Sequence, residues 1–258
     1  DDWMMMVPTM MHRIWRLPDD VRNAYDLSSL RVLLHLAAPC PPWLKEEWIN
    51  WLGADRIYEL MGGTEGTGVT WITGDEWMTH KGSVGKLLPG STMKIVREDG
   101  TEAEPGEVGE VFFLPDGGQG STYTYLGAES KAMEGGWESL GDLGYVDREG
   151  YLYLTDRIAD MILAGGANIY PAEVEAAIDL FPGVRSSVVI GLPDDDLGNR
   201  VHAIVDAPGG VDEEELRTFL GERLVRYKIP RSFEFTTDAP LRDDAGKVRR
   251  KELRAARL

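Results

Sequence analysis

The sequence predicts an α/β region followed by an α+β region: the remnant of a doubly wound sheet, a small β-barrel-like subdomain, and a compact α+β domain at the C-terminal end. Three observations predict it. Between Arg31 and Met61 an apolar run, an amphipathic stretch and a second apolar run follow a strand–helix–strand rhythm. From Val69 to Thr155 the pattern changes to short strands cut by Gly, Pro and Asp turns. Beyond Arg157, strands and helices alternate to the end of the chain.

Taken in order, the chain opens on the apolar stretch MMMVPTMMHRIWRL and a polar loop. Arg31–Leu36 then reads as a buried strand, and Ala37-Ala38-Pro39 as the turn after it. Trp43–Leu52 reads as a helix with Leu44, Trp48, Trp51 and Leu52 facing inward. Arg56–Met61 is a second strand, ending in the glycine-rich run Met61–Gly68. A complete doubly wound domain needs more strands than these, so the tail of one is expected.

Val69–Thr73, Thr92–Val96, Val108–Leu114 and Tyr151–Thr155 are the short strands, separated by turns such as Glu98-Asp99-Gly100 and Pro115–Gly118. Tyr151, Tyr153 and Thr155 alternate with Leu152 and Leu154, the period-two signal of a strand. Asp156-Arg157 interrupts the apolar pattern, Met161–Leu163 resumes it, and Gly165-Gly166 stops it. Pro171 opens a helix with Val174, Ala177, Ile178 and Phe181 on one face. Val184–Leu192, Val201–Val205 and Ser232–Thr236 read as strands. Val211–Val225 reads as a helix with Asp212 near its N-cap, and Lys251–Leu258 as a short one.

Composition bounds the function. With 258 residues, 43% of them hydrophobic, the chain can bury the core of one large or two modest domains. It contains no apolar run near the ~20 residues of a membrane span. The start, Asp-Asp-Trp-Met-Met-Met, lacks a basic n-region and an initiator methionine, from which a chain beginning within a longer protein is expected. One cysteine, Cys40, and four scattered histidines leave no internal disulfide and no zinc spacing, and reducing cytoplasm is the expected location. Net charge is −17, of which residues 1–156 carry −14 (12 basic, 26 acidic). That field argues against nucleic acid or an anionic membrane as partner. An anionic ligand needs local help, and Lys247 to Arg257 offers six basic residues against Glu252 alone.

The words GDLGY, YLTDR-x-x-D and GG-x-N-I-Y-P-x-E-V-E, in that order between Gly141 and Glu175, resemble the adenylate-forming acyl-CoA synthetases, and the resemblance covers essentially the whole chain. It implies that residues 1–156 are the C-terminal part of the large AMP-binding domain, with a sheet remnant at 1–68 and a β subdomain at 69–156. Residues 157–258 are then a small mobile domain rotating about a hinge at Ala159. By the same resemblance Met61, Gly62 and Gly63 bind the nucleotide, Met61 standing where many members place an aromatic residue against adenine, Thr64 meets the α-phosphate and Glu65 holds Mg²⁺. Ala38 lies in the turn beside nucleotide and acyl group, with Leu36 where Gly is usual. Asp142 accepts from both ribose hydroxyls, with Leu140 where Thr is usual. Arg157 contacts ribose or phosphate, an ion pair with Asp156 or Asp160 remaining open. Gly165 and Gly166 line the path of the coenzyme A thiol.

Gly246-Lys247 fails the GxxxxGK[ST] phosphate-loop pattern, because Leu241 and Val248 stand at two of its fixed positions. Within P-x-x-x-x-x-GK-x-x-R it resembles the family's closing motif, whose lysine bridges the carboxylate and the α-phosphate. The implied activity is an ATP-dependent acid–thiol ligase, turning a small carboxylic acid, ATP and coenzyme A into acyl-CoA, AMP and pyrophosphate through an acyl adenylate. The alternatives are an adenylation enzyme that loads a carrier protein and a non-catalytic nucleotide-binding fragment. A homo-oligomer is left open. The family's Ser/Thr/Gly-rich phosphate loop ending in Pro-Lys occurs nowhere in the chain, so a C-terminal portion, poorly active alone, is expected. Gly63 and the Met-rich start suggest a medium or long aliphatic or sterol-like acid.

Overall fold

The structure is a computed structural model that describes residues 2–124, 126, 131–237, 241–242 and 247–258. The chain divides into two compact units, residues 1–154 and 155–258.

In the first unit, β1 (Trp3–Met6) leads into α1 (Pro8–Trp15), where Pro8 takes the first helical turn that has no amide to lose. A single turn, α2 (Asp19–Arg22), precedes β2 (Val32–His35), and α3 (Pro42–Leu52) connects it to β3 (Ile57–Gly62). β1, β2 and β3 are parallel neighbours, with Met6 opposite His35 and His35 opposite Glu59. This is the predicted α/β remnant.

β4 (Val69–Thr73) doubles back antiparallel on β3, pairing Gly62 with Val69 and Met61 with Thr70. The strand at 69–73, expected in the β subdomain, therefore extends the first sheet. The connection explains it: a loop of a few residues can join only antiparallel neighbours. α4 (Gly74–Thr79), which the periodicity did not reveal, follows, and β5 (Lys86–Leu87) completes the order β1-β2-β3-β4-β5. α4 starts on a capping box, with the Thr73 hydroxyl accepting the Glu76 N–H and the Glu76 carboxylate accepting the Thr73 N–H.

The second sheet holds β6 (Ser91–Val96), β7 (Gly109–Pro115), β8 (Lys131–Met133), β9 (Trp137–Ser139), β10 (Asp142–Val146) and β11 (Leu152–Arg157). β7 takes β6 along one side, and on the other β10 at Glu110 and β9 at Phe113. No pairing among the described residues joins the outer strands, so this is an open sheet and the expected barrel-like closure is absent. Strands of three residues, as β8 and β9 are, give too short a ladder to carry a closed barrel.

In the second unit β12 (Ile162–Ala164) and β13 (Ala167–Ile169) form a hairpin, and α5 (Pro171–Ile178) follows. β14 (Ser186–Asp194) and β15 (Gly198–Asp206) pair antiparallel, and after α6 (Glu213–Gly221) β16 (Ser232–Thr236) joins β15 in parallel. Asp212 caps α6, accepting the N–H groups of Glu214 and Glu215. The sheet is covered on both faces. Val189, Val201 and Val205 pack with α5 and α6 through Val174, Ile178, Leu216 and Leu220. Val188, Ile190 and Ile204, one residue out of phase, pack with Val248 and with Leu253 of α7 (Arg250–Ala255).

One polar pair lies inside the first unit. Lys45 on α3, 1% exposed, donates to Glu59 on β3, 6% exposed, at 2.7 Å. Each charge is tolerable there only because of the other. Trp51, expected inward, is half-buried and meets Trp48 edge-on with centroids 5.0 Å apart. Lys45→Met should therefore destabilise the first unit by about 3–5 kcal/mol in urea unfolding, whereas Lys45→Met/Glu59→Leu should recover most of that loss.

Candidate functional site

Because β2 and β3 run parallel in register, the loops that follow them leave the sheet side by side at its carboxyl edge, where open α/β sheets bind ligands. The first loop carries Ala37 at φ 75°, the one non-glycine residue with positive φ among the described residues. An alanine there is strained, and such strain persists only where the surroundings hold it. Leu36 and Ala38 on either side are half-buried. Beneath the turn, His35 is fully buried and neither ring nitrogen makes a hydrogen bond; Nε2 lies 3.7 Å from Glu59 Oε2. Burial drives the imidazole down to about 4, against the pull of Glu59. Burial likewise pushes the Cys40 thiol well up, which keeps it an inert side chain.

The second loop, Gly63–Gly68, is shaped by what glycine leaves out. A Cβ on Gly63 would lie 2.5 Å from Glu65 Oε2 and 2.6 Å from Leu140 Cδ1; one on Gly68 would lie 2.1 Å from the Phe113 ring. Thr64 is exposed and its hydroxyl sits 3.4 Å from Glu65 Oε2, while Glu65 is half-buried. Met61 is half-buried against the cluster of Ile95, Val111 and Phe113, so its side chain serves the core at least in part. Gly62, at the end of β3, is exposed.

Asp142 opens β10 and is half-buried. Gly141 before it takes φ 83° and donates its N–H to Ser139 Oγ at 2.9 Å, a tight turn that a side chain would strain. Leu140, seated on Gly63, brings this turn against the Thr64–Glu65 loop. Thr64, Glu65 and Asp142, 78 positions apart in the chain at the extremes, thus converge at one end of the first unit. Sequence patterns alone missed the Leu140 contact, since an apolar residue in a polar turn carries no chemical signal.

The remaining predicted residues lie in the second unit. Arg157 is exposed, and its N–H donates to Asp156 Oδ1 at 2.7 Å. Asp156 also accepts the Ala172 N–H at 2.9 Å, and its carboxyl is raised by burial. The carboxylate of Asp160 is held by Arg250 at 3.0 Å. Ala159 is exposed in the turn between β11 and β12. Gly165 and Gly166, at φ 57° and 80°, form the two-residue turn of the β12–β13 hairpin. Lys247 is exposed, just ahead of α7; Pro240 and Gly246 of its motif lie outside the described residues.

Among the described residues no group of three or more His, Cys, Asp or Glu could hold a metal. A magnesium ion carried with phosphates needs only one or two carboxylates, and Glu65 in an exposed loop fits that requirement. No helix among the described residues is long and apolar enough to cross a membrane.

Residues 2–122 match the family described as AMP-binding enzyme, and residues 173–247 the AMP-binding enzyme C-terminal domain. The chain is 37% identical over 96% of its length to the 3-[(3aS,4S,7aS)-7a-methyl-1,5-dioxo-octahydro-1H-inden-4-yl]propanoyl:CoA ligase of Rhodococcus jostii, covering 46% of that protein. It is 36% identical over 96% of its length to a fatty acid–[acyl-carrier-protein] ligase of Streptomyces coeruleorubidus, covering 48% of it. The chain thus spans about half the length of these curated relatives. Among solved structures it resembles the o-succinylbenzoate-CoA synthetase of Bacillus subtilis bound to its acyl-adenylate intermediate. There the TM-score is 0.81 and the identity 33%, over 97% of this chain and 50% of that one.

His35 makes a pH prediction. Its folded pKa lies below the ordinary 6.5, so the unfolded chain takes up the proton first and the stability His35 contributes is lost as pH falls from 6.5 toward 4. The loss should reach about 3 kcal/mol at the acid end of that window. His35→Phe, which keeps a ring but no titrating nitrogen, should remove that part of the pH dependence in urea unfolding.

Proposed function

This chain belongs to the AMP-binding enzyme family, and on that premise we propose that it is the C-terminal portion of an ATP-dependent acid–thiol ligase. The reaction joins a carboxylic acid to coenzyme A through an acyl adenylate, releasing pyrophosphate and AMP. The observation that carries this reading is the convergence of Thr64, Glu65 and Asp142 at the carboxyl edge of β3, brought about by Leu140 against Gly63.

The chemistry asks for those residue types. A carboxylate is a poor electrophile and needs a leaving group before a thiol can attack it. Attack by the carboxylate on the α-phosphorus of ATP provides one. Asp142 offers two acceptor oxygens to the vicinal ribose hydroxyls. Thr64 donates its hydroxyl to the α-phosphate, and the exposed backbone at Gly62 lets the purine lie close, with Met61, Gly63 and Ala38 at its margins. A Mg²⁺ held by Glu65 would supply charge neutralisation at the phosphate oxygens. Lys247 brings the second positive charge to the carboxylate and α-phosphate, and Arg157 pairs with ribose or phosphate.

In the second half-reaction a thiol must reach the acyl carbon after Lys247 has withdrawn. Rotation at Ala159 would accomplish that, since hinges are a few element-terminal residues that absorb a change in φ and ψ. Gly165 and Gly166 then flank the thiol without Cβ atoms in its path. An apolar acid, aliphatic or fused-ring, is the proposed substrate class; the Rhodococcus relative is named for a fused-ring propanoyl group. The Streptomyces relative is named for loading a carrier protein, so the acceptor is either coenzyme A or a carrier's phosphopantetheine. Thioester formation with each, from one supplied acyl adenylate, separates the two.

Lys247→Ala in the full-length protein should lower dodecanoate-dependent ATP–pyrophosphate exchange on the order of 10²–10³-fold. Thioester formation from supplied dodecanoyl-AMP should be spared. An equal fall in both half-reactions would contradict the role assigned to Lys247.

A further inference from the structure

The arginines on either side of Lys247 end on the same carboxylate. Arg242 donates from Nη2 to Glu175 Oε2 at 2.9 Å, and Arg250 donates from Nη2 to Glu175 Oε1 at 2.6 Å. Glu175, on α5, is 4% exposed, and its Oε1 also accepts the Val189 N–H at 2.8 Å. Arg242 further donates to the Ser187 carbonyl at 3.3 Å, and Arg250 to Asp160 Oδ2 at 3.0 Å. Leu241 and Val248, each next to one of these anchored stretches, turn onto Val188, Ile190 and Ile204, and Lys247 stays on the exposed side.

This is more than a buried carboxylate needs. One guanidinium with a main-chain amide would neutralise and satisfy Glu175. The second guanidinium adds a second attachment, so that the chain is anchored at Arg242 and at Arg250, positions that flank Lys247 in sequence. A basic run left to itself is a solvated tail whose ammonium sweeps a large volume. A group that must meet a developing charge gains from being held, because a misplacement of about 1 Å can cost on the order of 10²-fold in rate.

We propose that Glu175, with Arg242 and Arg250, positions Lys247 for the adenylation step by tying down both flanks of the segment that carries it. The proposal rests on the role given to Lys247 above. The three residues do not touch substrate; they act through the lysine. Arg250 also pairs with Asp160 at 3.0 Å, which fixes its own guanidinium beside Glu175.

The test uses the full-length protein, with dodecanoate for pyrophosphate exchange and dodecanoyl-AMP for the thioester half-reaction. Arg250→Ala should lower exchange on the order of 10²-fold through kcat, with KM for ATP unmoved, and leave thioester formation unchanged. In a Lys247→Ala background the same change should lower residual exchange no further, because a residue acting through the lysine has nothing left to position. Arg250→Lys and Arg242→Lys, which keep a charge in place, serve where the alanine variants fail to fold, and should show the same one-sided loss in smaller measure. Equal loss of both half-reactions would overturn the proposal, as would an undiminished effect of Arg250→Ala in the Lys247→Ala background. If Lys247→Ala abolishes exchange while every Arg242 and Arg250 variant exchanges like wild type, positioning alone falls. If Lys247→Ala leaves exchange intact, the role of the lysine falls with it.

Discussion

Two opposite charges inside an apolar core set the geometry of the first unit. Lys45 and Glu59, joined at 2.7 Å and almost wholly buried, come from a helix and from the strand that α3 feeds. Neither can leave the other without stranding a charge out of water. The pair therefore ties α3 to β3 three residues before that strand reaches Gly62. His35, opposite Glu59 in the parallel register, is held in the same interior and stays neutral. What emerges above this group is the carboxyl edge of the sheet, with Ala37 forced to positive φ on one side and the glycine loop on the other. The parts proposed to face a ligand are thus the ends of elements fixed below by charge and packing.

The second unit works differently. Its sheet is covered on both faces, and its candidate residues sit at element ends and connections: Arg157 at the end of β11, Ala159 ahead of β12, Gly165 and Gly166 between β12 and β13, Lys247 before α7. The role proposed for Lys247 asks that the segment carrying it be anchored. The double attachment through Glu175 meets that need with side chains from α5 and from both flanks of the lysine. The proposed reaction, whose two steps ask for opposite placements of one cation, would be served by a small domain moving as a body rather than by a loose tail.

Much of the fold was legible because its signals are local. Val69–Thr73 and Ser232–Thr236 are strands over those same residues, since alternation of apolar and polar side chains is a property of neighbours. Asp212 was legible as a cap for the same reason. Partnership was not local. The strand at 69–73 was read as part of the β subdomain, yet it pairs with β3, and the outer strands of the second sheet do not close. Lys45 shows the same limit: helical periodicity assigns a lysine to water, and only Glu59 in another element makes its burial tolerable. Gly165-Gly166 was legible as a stop, and both residues at positive φ make it the turn of the β12–β13 hairpin. The candidate site residues were nominated through the motif resemblance, as an expectation about positions such as Thr64, Glu65 and Asp142. Their convergence through Leu140 and Gly63 depends on shape between distant segments, which no pattern of single residues records.

The central claim is that Thr64, Glu65 and Asp142 form the clasp of a nucleotide, and it is tested most directly without knowing the acid. Calorimetric titration of the full-length protein with AMP and with 2′,3′-dideoxy-AMP, repeated on Asp142→Ala, isolates the ribose contact. The account predicts that wild type prefers AMP by about tenfold or more and that Asp142→Ala binds the two alike, at the weaker affinity. An Asp142→Ala protein that binds AMP as tightly as wild type, or a wild type indifferent to the ribose hydroxyls, would contradict it.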